Sequence, residues 1–380
     1  MPPSKHALLG ASSAHRWLLC PPSARLETKF PDTTSEAAAE GTLAHSIVET
    51  KLSRLIKGKA RGKATKGQQE NPLYSPAMED HCDSYVDFIE ELFAGAQRHS
   101  PDAILCSEMR VDYSRWVPEG FGTTDTTIIA DDTLTVVDFK YGKGHLVEAQ
   151  ENPQLRLYAL GALEEFGGLY DIQSVRTYIV QPRKDSITSE DISVDALLDW
   201  AESYVKPRAE MAFKGEGEET PGDAQCLFCR AKNVCVARIS WLLDALRYEF
   251  RNPDLLTPEE IAAVIPKAEA LASWAKGVKD YALAHAVDGE QFPGYKLVQG
   301  RSNRKITDDA EAIRKLLAAG CDMDKIVRLR SLTDLESYLS KDTIAKLLDG
   351  LIVKPEGKPT LVPDSDKREA LPTTEFKVEE

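Results

Sequence analysis

No apolar run in the sequence approaches the roughly 18 residues of a membrane helix, so a membrane partner is not expected. The opening stretch MPPSKHALLGASSAHRW also lacks the apolar segment of a secretory leader, which sets the expectation of a cytoplasmic protein. Positive charge is in deficit. With 61 acidic against 47 basic residues and a net charge of −14, bulk electrostatics do not draw the chain onto nucleic acid, although a local basic groove is compatible with that balance. Cysteine is scarce: seven residues, an odd number scattered over 380, do not form a secreted disulfide framework. Internal repeats are absent as well.

What is present describes a soluble globular chain with 42% hydrophobic and 28% charged residues. Its length allows one large core and a second unit. KLSRLIKGKARGKATK, from Lys51 to Lys66, holds seven basic residues and no acid. Such a run is either a solvated, mobile loop or the wall of a nucleic-acid groove.

The hydrophobic period divides the chain. SSAHRWLLCPPSARLE predicts a helix ending at Pro21-Pro22, TLAHSIVETKLSRLI a helix starting near Gly41, and Met78 to Gln97 a third. Three strands follow, over Ile104–Tyr113, Thr124–Ala130 and Thr133–Lys140. A helix comes next, with Asn152 as N-cap and Pro153 in its first turn. Val175–Gln181 predicts a fourth strand and Asp195–Phe213 a helix. This order describes an α/β fold with a mixed central sheet flanked by helices. Beyond Trp241 the character is mainly helical, with a capping-box start at Thr257 and Glu260. A strand or hairpin is expected from Gly294 and short helices near Thr307 and Thr333. The expected division is therefore residues 1–240, an accessory region 241–353 and a disordered tail 354–380.

The stretch FGTTDTTIIADDTLTVVDFKYGKG carries a charge problem. If it pairs as a hairpin turning at Asp131-Asp132, opposed residues have numbers summing to 263, which sets Asp125 against Asp138. Directly opposed side chains have Cβ atoms roughly 4.5–5.5 Å apart, so two carboxylates there repel. Lys140 lies on the same face as Asp138. A divalent cation held by both carboxylates relieves the clash with oxygen ligands suited to Mg²⁺ or Mn²⁺; the alternative is a solvent-exposed strand end with a surface ion pair. His45 and Glu49, four apart, share a helix face, as do Gln154 and Tyr158.

Taken in order, G-x-x-x-H-x-x-x-E (Gly41, His45, Glu49), G-x-x-D (Gly122, Asp125), D-x-K (Asp138, Lys140) and Q-x-x-x-Y (Gln154, Tyr158) resemble the RecB-type branch of the PD-(D/E)XK nuclease superfamily. The resemblance covers about Ser12 to Arg238, and QPR at Gln181–Arg183 is similar to an uncharacterised phage-encoded group of these nucleases. It implies a restriction-endonuclease-like αβββαβ core and metal-dependent hydrolysis of DNA phosphodiesters. His45, Asp125 and Asp138 would hold the metal, with the Phe139 carbonyl a further ligand. Lys140 would position or deprotonate water and stabilise developing charge, while Glu49, Gln154 and Tyr158 complete the site. Asp138 stands where many members have Glu. The setting implied is phage recombination or replication, with DNA and a recombination or replication protein as partners in the bacterial host cytoplasm.

Cys226, Cys229 and Cys235 place three thiols within ten residues, a metal or cluster spacing whose fourth ligand must come from elsewhere. Cys20, in SSAHRWLLCPP, resembles the N-terminal cysteine of the AddB and CRISPR-associated RecB-like nucleases, in which four such cysteines hold a [4Fe–4S] cluster. Zinc is the alternative. Cys82, Cys106 and Cys321 lack a partner pattern. The leading reading is thus an exonuclease whose groove is made basic by the Lys51–Lys66 run, Arg183, Lys184, Arg301, Arg304 and Lys305. The alternatives are a catalytically inactive DNA-binding recombination partner that keeps the fold, and a zinc-stapled scaffold.

Overall fold

The computed structural model describes residues 7–31, 36–244, 256–296, 309–318 and 341–348, with the isolated positions 323, 335, 351 and 352. By contacts the chain divides into Met1–Val327 and Arg328–Glu380. In the smaller unit the described residues include one helix, Lys341–Leu347. No described helix is long and apolar enough to cross a membrane. Arg301, Arg304, Lys305, Cys321, the segment after Lys296 and the tail from 354 lie outside the described residues.

The larger unit is α/β, built on a five-stranded mixed sheet in the order β1-β2-β3-β4-β5. The strands are β1 (Ile104–Asp112), β2 (Phe121–Ile129), β3 (Thr133–Phe139), β4 (Ser174–Gln181) and β5 (Ser186–Ser193). β1, β2 and β3 form an antiparallel meander, β3 and β4 pair in parallel, and β5 returns antiparallel to β4. β5 is not among the strands expected from the sequence: ITSEDIS has few β-formers, and pairing with β4 along its whole length supplies what propensity lacks.

Helices cover both faces. After a short 3-10 turn at Ala11–Ser13 come α1 (Ala14–Leu19), α2 (Ser23–Glu27), α3 (Glu36–Ile56), α4 (Lys66–Gln69) and α5 (Pro76–His99). Gly41 lies inside α3 instead of opening it, because Glu36 to Glu40 are good helix formers that outweigh one glycine. α6 (Pro153–Phe166) crosses from β3 to β4, with Asn152 Oδ1 accepting from the Gln154 and Leu155 amides as the N-cap. α7 (Val194–Trp200), a π turn (Ala201–Val205) and α8 (Lys206–Lys214) run on without a break. Pro207, which has no amide hydrogen, sits where the ladder widens. α9 (Asp223–Leu227), α10 (Val236–Leu243), α11 (Pro258–Val287) and α12 (Asp309–Ala318) follow.

Strand alternation sorts the sheet side chains onto two cores. Ile129, Leu134, Val136, Val175 and Ile179 pack with α6 and α7, whereas Leu105, Ile128, Val137, Phe139 and Val180 pack with α3 and α5. The basic run is not a free loop. Lys51 is fully buried, its Nζ bound to Glu79, to Asp83 at 2.9 Å and to the Gly62 carbonyl at 3.0 Å. Arg61 pairs with Asp83, Asp87 and Glu90, and Arg54 donates to the Arg61 and Lys63 carbonyls. Acids of α5 thus fasten the run at Lys51 and Arg61, while Lys57, Lys59, Lys63 and Lys66 are exposed.

Candidate active site

The β2–β3 turn sets everything that follows. Thr126↔Val137 through Ile129↔Leu134 pair with numbers summing to 263, and the Ala130 amide closes the two-residue turn on the Thr133 carbonyl at 3.1 Å. The ladder stops at Thr126↔Val137. One step further, where β2 stays with β1 and β3 parts from it, sit Asp125 and Asp138.

The parting of the strands opens the place the acids occupy. Asp125 Oδ2 accepts from the Phe139 amide at 2.7 Å, tying the two ends across the gap. His45, from α3, brings Nδ1 to 3.3 Å from Asp125 Oδ1, and its ring meets Phe139 edge-on at 5.2 Å. Asp138 is nearly sealed from solvent at 2% exposure. Its Oδ1 accepts from Gln154 Nε2 at 2.7 Å; Oδ2 lies 2.9 Å from Lys140 Nζ but makes no well-directed hydrogen bond, so a lone pair stays unfilled. Gln154 also accepts from Lys140 Nζ at 3.1 Å and reaches the Tyr158 hydroxyl at 3.4 Å. Beneath, the Tyr85 hydroxyl is 2.9 Å from Thr126 Oγ1, and its ring stacks obliquely on Phe139.

The electrostatics follow from two acids crowding one ammonium. Burial raises the Asp138 carboxyl above its ordinary value, with Lys140 pulling the other way and Asp125 adding to the rise. Burial depresses Lys140, but the Asp138 carboxylate more than offsets it, so the amine stays protonated. For His45, burial is likewise outweighed by the hydrogen bond and charge of Asp125, and its value rises.

Glu108, which the sequence marks only as a residue of the Ile104–Tyr113 strand, joins this site. Ser107↔Thr126 and Met109↔Thr124 flank it, so its position in β1 faces Asp125. Its backbone takes φ 51°, a region a non-glycine residue enters rarely and at a cost of order 1–3 kcal/mol. Ligand atoms of His45, Glu108 and Asp125 all lie within 4.8 Å of one another, the one such group of three or more among the described residues. Glu108 is itself exposed, at the rim of the group. Burial of its carboxyl first, then the charge of Asp125, pushes it up to about 7. The signal for Glu108 was the β1–β2 register, which needs the length of the Tyr113–Gly120 connection and is not readable from alternation alone.

Other expected site residues are placed differently. Glu49 is exposed on α3, where its charge acts on Glu108. Arg183, in the turn Pro182–Lys184 with Lys184, donates to Glu40 at 2.7 Å and lies 4.6 Å over the Tyr141 ring, so its charge is already matched.

Cys20, Cys226, Cys229 and Cys235 line one small cavity of about 20 Å³. Among the described residues no three of these sulfurs come within 4.8 Å of one another. The same elements are joined by a residue the sequence did not mark. Glu27, 4% exposed, accepts from Arg16 Nε and from the Arg230 amide, each at 2.7 Å.

An α/β chain with a carboxylate–histidine–lysine centre at the parting of two strands is the class this geometry defines. The profile of a family described as "Protein of unknown function (DUF2800)" matches residues 6–369, and the chain belongs to that family. A solved structure titled "Crystal structure of SSO0001" matches with 12% identity and a TM-score of 0.30, over 63% of this chain and 89% of that one. That likeness is too slight to bear on fold or function.

Proposed function

We propose that this protein is a metal-dependent DNA nuclease with a restriction-endonuclease-like core, acting in phage recombination or replication. The observation that carries the reading is the convergence of His45, Asp125, Asp138 and Lys140, from α3, β2 and β3, on the gap where the β2–β3 ladder ends.

The residues fit a hard divalent cation. Asp138 Oδ2 is buried with an unfilled lone pair, Asp125 and Glu108 offer carboxylate oxygens, and His45 offers a ring nitrogen, a donor set suited to Mg²⁺ or Mn²⁺. When bound, such an ion supplies Lewis acidity toward a phosphoryl oxygen and lowers the pKa of bound water. Lys140, held protonated by Asp138, acts as a fixed positive charge toward the developing phosphorane instead of as a base. Gln154, held between Asp138 and Lys140, fixes the orientation of both, and Tyr158 supports Gln154.

At Cys20, Cys226, Cys229 and Cys235, which line one cavity, the reading keeps a [4Fe–4S] cluster, with zinc as the alternative. Its role in this reading is structural, fastening Cys20 to the Cys226–Cys235 loop.

The test is cleavage of labelled single- and double-stranded DNA with Mg²⁺ or Mn²⁺. The wild type is expected to cleave, and Asp138→Asn and Lys140→Ala to lose about 10²–10³ in kcat. Undiminished cleavage by the double variant removes the proposed centre. DNA binding without cleavage by the wild type favours the inactive partner.

A further inference from the structure

A cavity of about 640 Å³ opens beside the centre, walled by the Gly10–Trp17 stretch, by Phe121, Gly122 and Thr123 of β2, by Tyr158 of α6, and by Glu27 and Arg230. Its volume falls within the range of small-ligand sites, about 300–1,000 Å³. It suits a nucleotide unit or two and is far too small for the cross-section of a duplex.

Two features tie the cavity to the chemistry. Tyr158 is a wall residue whose hydroxyl reaches Gln154, which in turn holds Asp138 Oδ1, so the wall stands two hydrogen bonds from the buried carboxylate. Gly122 lets β2 pack directly on that wall residue: a Cβ there would sit 2.7 Å from the Tyr158 ring.

The cavity's charge comes from two guanidinium groups and one carboxylate. Arg16 spends its charge on Glu27. Arg230 is held more loosely by the same carboxylate: its Nε stands 4.0 Å away, Nη1 donates to the Phe30 carbonyl at 3.3 Å, and the side chain is 34% exposed. Two guanidinium groups thus share one carboxylate, which leaves the wall with a surplus positive charge. Exposed Ser12 adds a hydroxyl, and Phe121 a partly exposed ring fixed by the Arg110 guanidinium 4.2 Å above it. A surplus cation, a hydroxyl donor and an aromatic ring beside a diester-cleaving centre are the groups that take a backbone phosphate and its base.

Resting on the nuclease reading, we infer that this cavity is the subsite for the single strand flanking the scissile bond, with Arg230 as its phosphate contact. The cationic contact thus comes from the cysteine-bearing loop, whereas in the Lys51–Lys66 run Lys51 and Arg61 are already paired with acids of α5.

The experiment is fluorescence anisotropy of a labelled single-stranded oligonucleotide against salt, with Ca²⁺ replacing Mg²⁺ to prevent turnover, alongside wild-type cleavage in Mg²⁺. Arg230→Ala is expected to raise Kd about ten-fold and to lower the salt slope by about 0.7, the loss of one phosphate contact on a single strand. Arg230→Lys restores the slope. At Ser12, S12E weakens binding and S12K tightens it; the position is exposed, so both variants fold. Wild-type Kd and slope in R230A, or equal effects of S12E and S12K, overturn the subsite while wild-type cleavage keeps the nuclease reading intact. A wild type that neither binds nor cleaves DNA removes both.

Discussion

Glu108 and Lys51 show how one side chain's surroundings decide what it contributes. Burial and the charge of Asp125 push the Glu108 carboxyl up to about 7 from its ordinary 4.5, so the stability tied to its proton is full below about 4.5 and is lost as pH rises through 7. Metal binding has the opposite sign, because a ligand carboxyl must be ionised. Mn²⁺ affinity is therefore expected to weaken as pH falls from 8 to 6, and Glu108→Gln to remove the component centred near 7 while leaving that of His45; calorimetric titration at stepped pH checks this. Lys51 is a different case. It is buried against Glu79 and Asp83, and removing one partner of a buried pair costs about 3–5 kcal/mol because the other is stranded. Lys51→Ala is expected to lower the urea midpoint accordingly, and Lys51→Met with Glu79→Leu to cost less than Lys51→Ala alone.

Between elements, β2 and α6 meet at a contact that leaves no spare room. Gly122 of β2 lies against the Tyr158 ring of α6, and the same helix carries Gln154 one turn earlier. Gly122→Ala forces Tyr158 to move, an overpacking of about 1–3 kcal/mol, and disturbs the Gln154 bonds to Asp138 and Lys140. Cleavage is expected to fall about ten-fold or more in a variant that still unfolds cooperatively, as parallel kinetic and urea-unfolding measurements would show. The elements themselves were largely legible. β1 to β4, α5, α6 with its Asn152 cap and α11 with its Thr257–Glu260 box follow from period and capping chemistry, which act over a few residues. β5 was not legible, since its strand character comes from a partner and not from its own side chains.

Across the larger unit, the chain's early and late segments are brought together around Cys20 and the Cys226–Cys235 loop. Glu27 links Arg16 with the Arg230 amide, and α11 reaches the same loop, where Trp274 Nε1 donates to the Asn233 carbonyl at 3.1 Å. Gly277 leaves space there for the Asn233 side chain. Protein purified without oxygen is expected to be brown, with about four iron and four sulfide per chain; a colourless, zinc-loaded protein overturns the cluster. Cys226→Ser is expected to lose the iron and lower Tm without unfolding the chain, because the Glu27 links remain. Adding Glu27→Gln is expected to lower Tm by more than the two separate effects combined, since both links fasten the same segments.

The sequence by itself determined the β2–β3 register, and with it the meeting of Asp125, Asp138 and Lys140, because a two-residue turn and a strand period of two are local rules. It also determined which helix faces carry His45, Gln154 and Tyr158. Only the tertiary structure decided that Glu108 faces Asp125, that Glu27 and Arg230 stand beside the cysteines, and that α5 spends its acids on the Lys51–Lys66 run. Those outcomes depend on contacts between residues distant in the chain, where packing of whole faces, and not any local spacing, selects the neighbour.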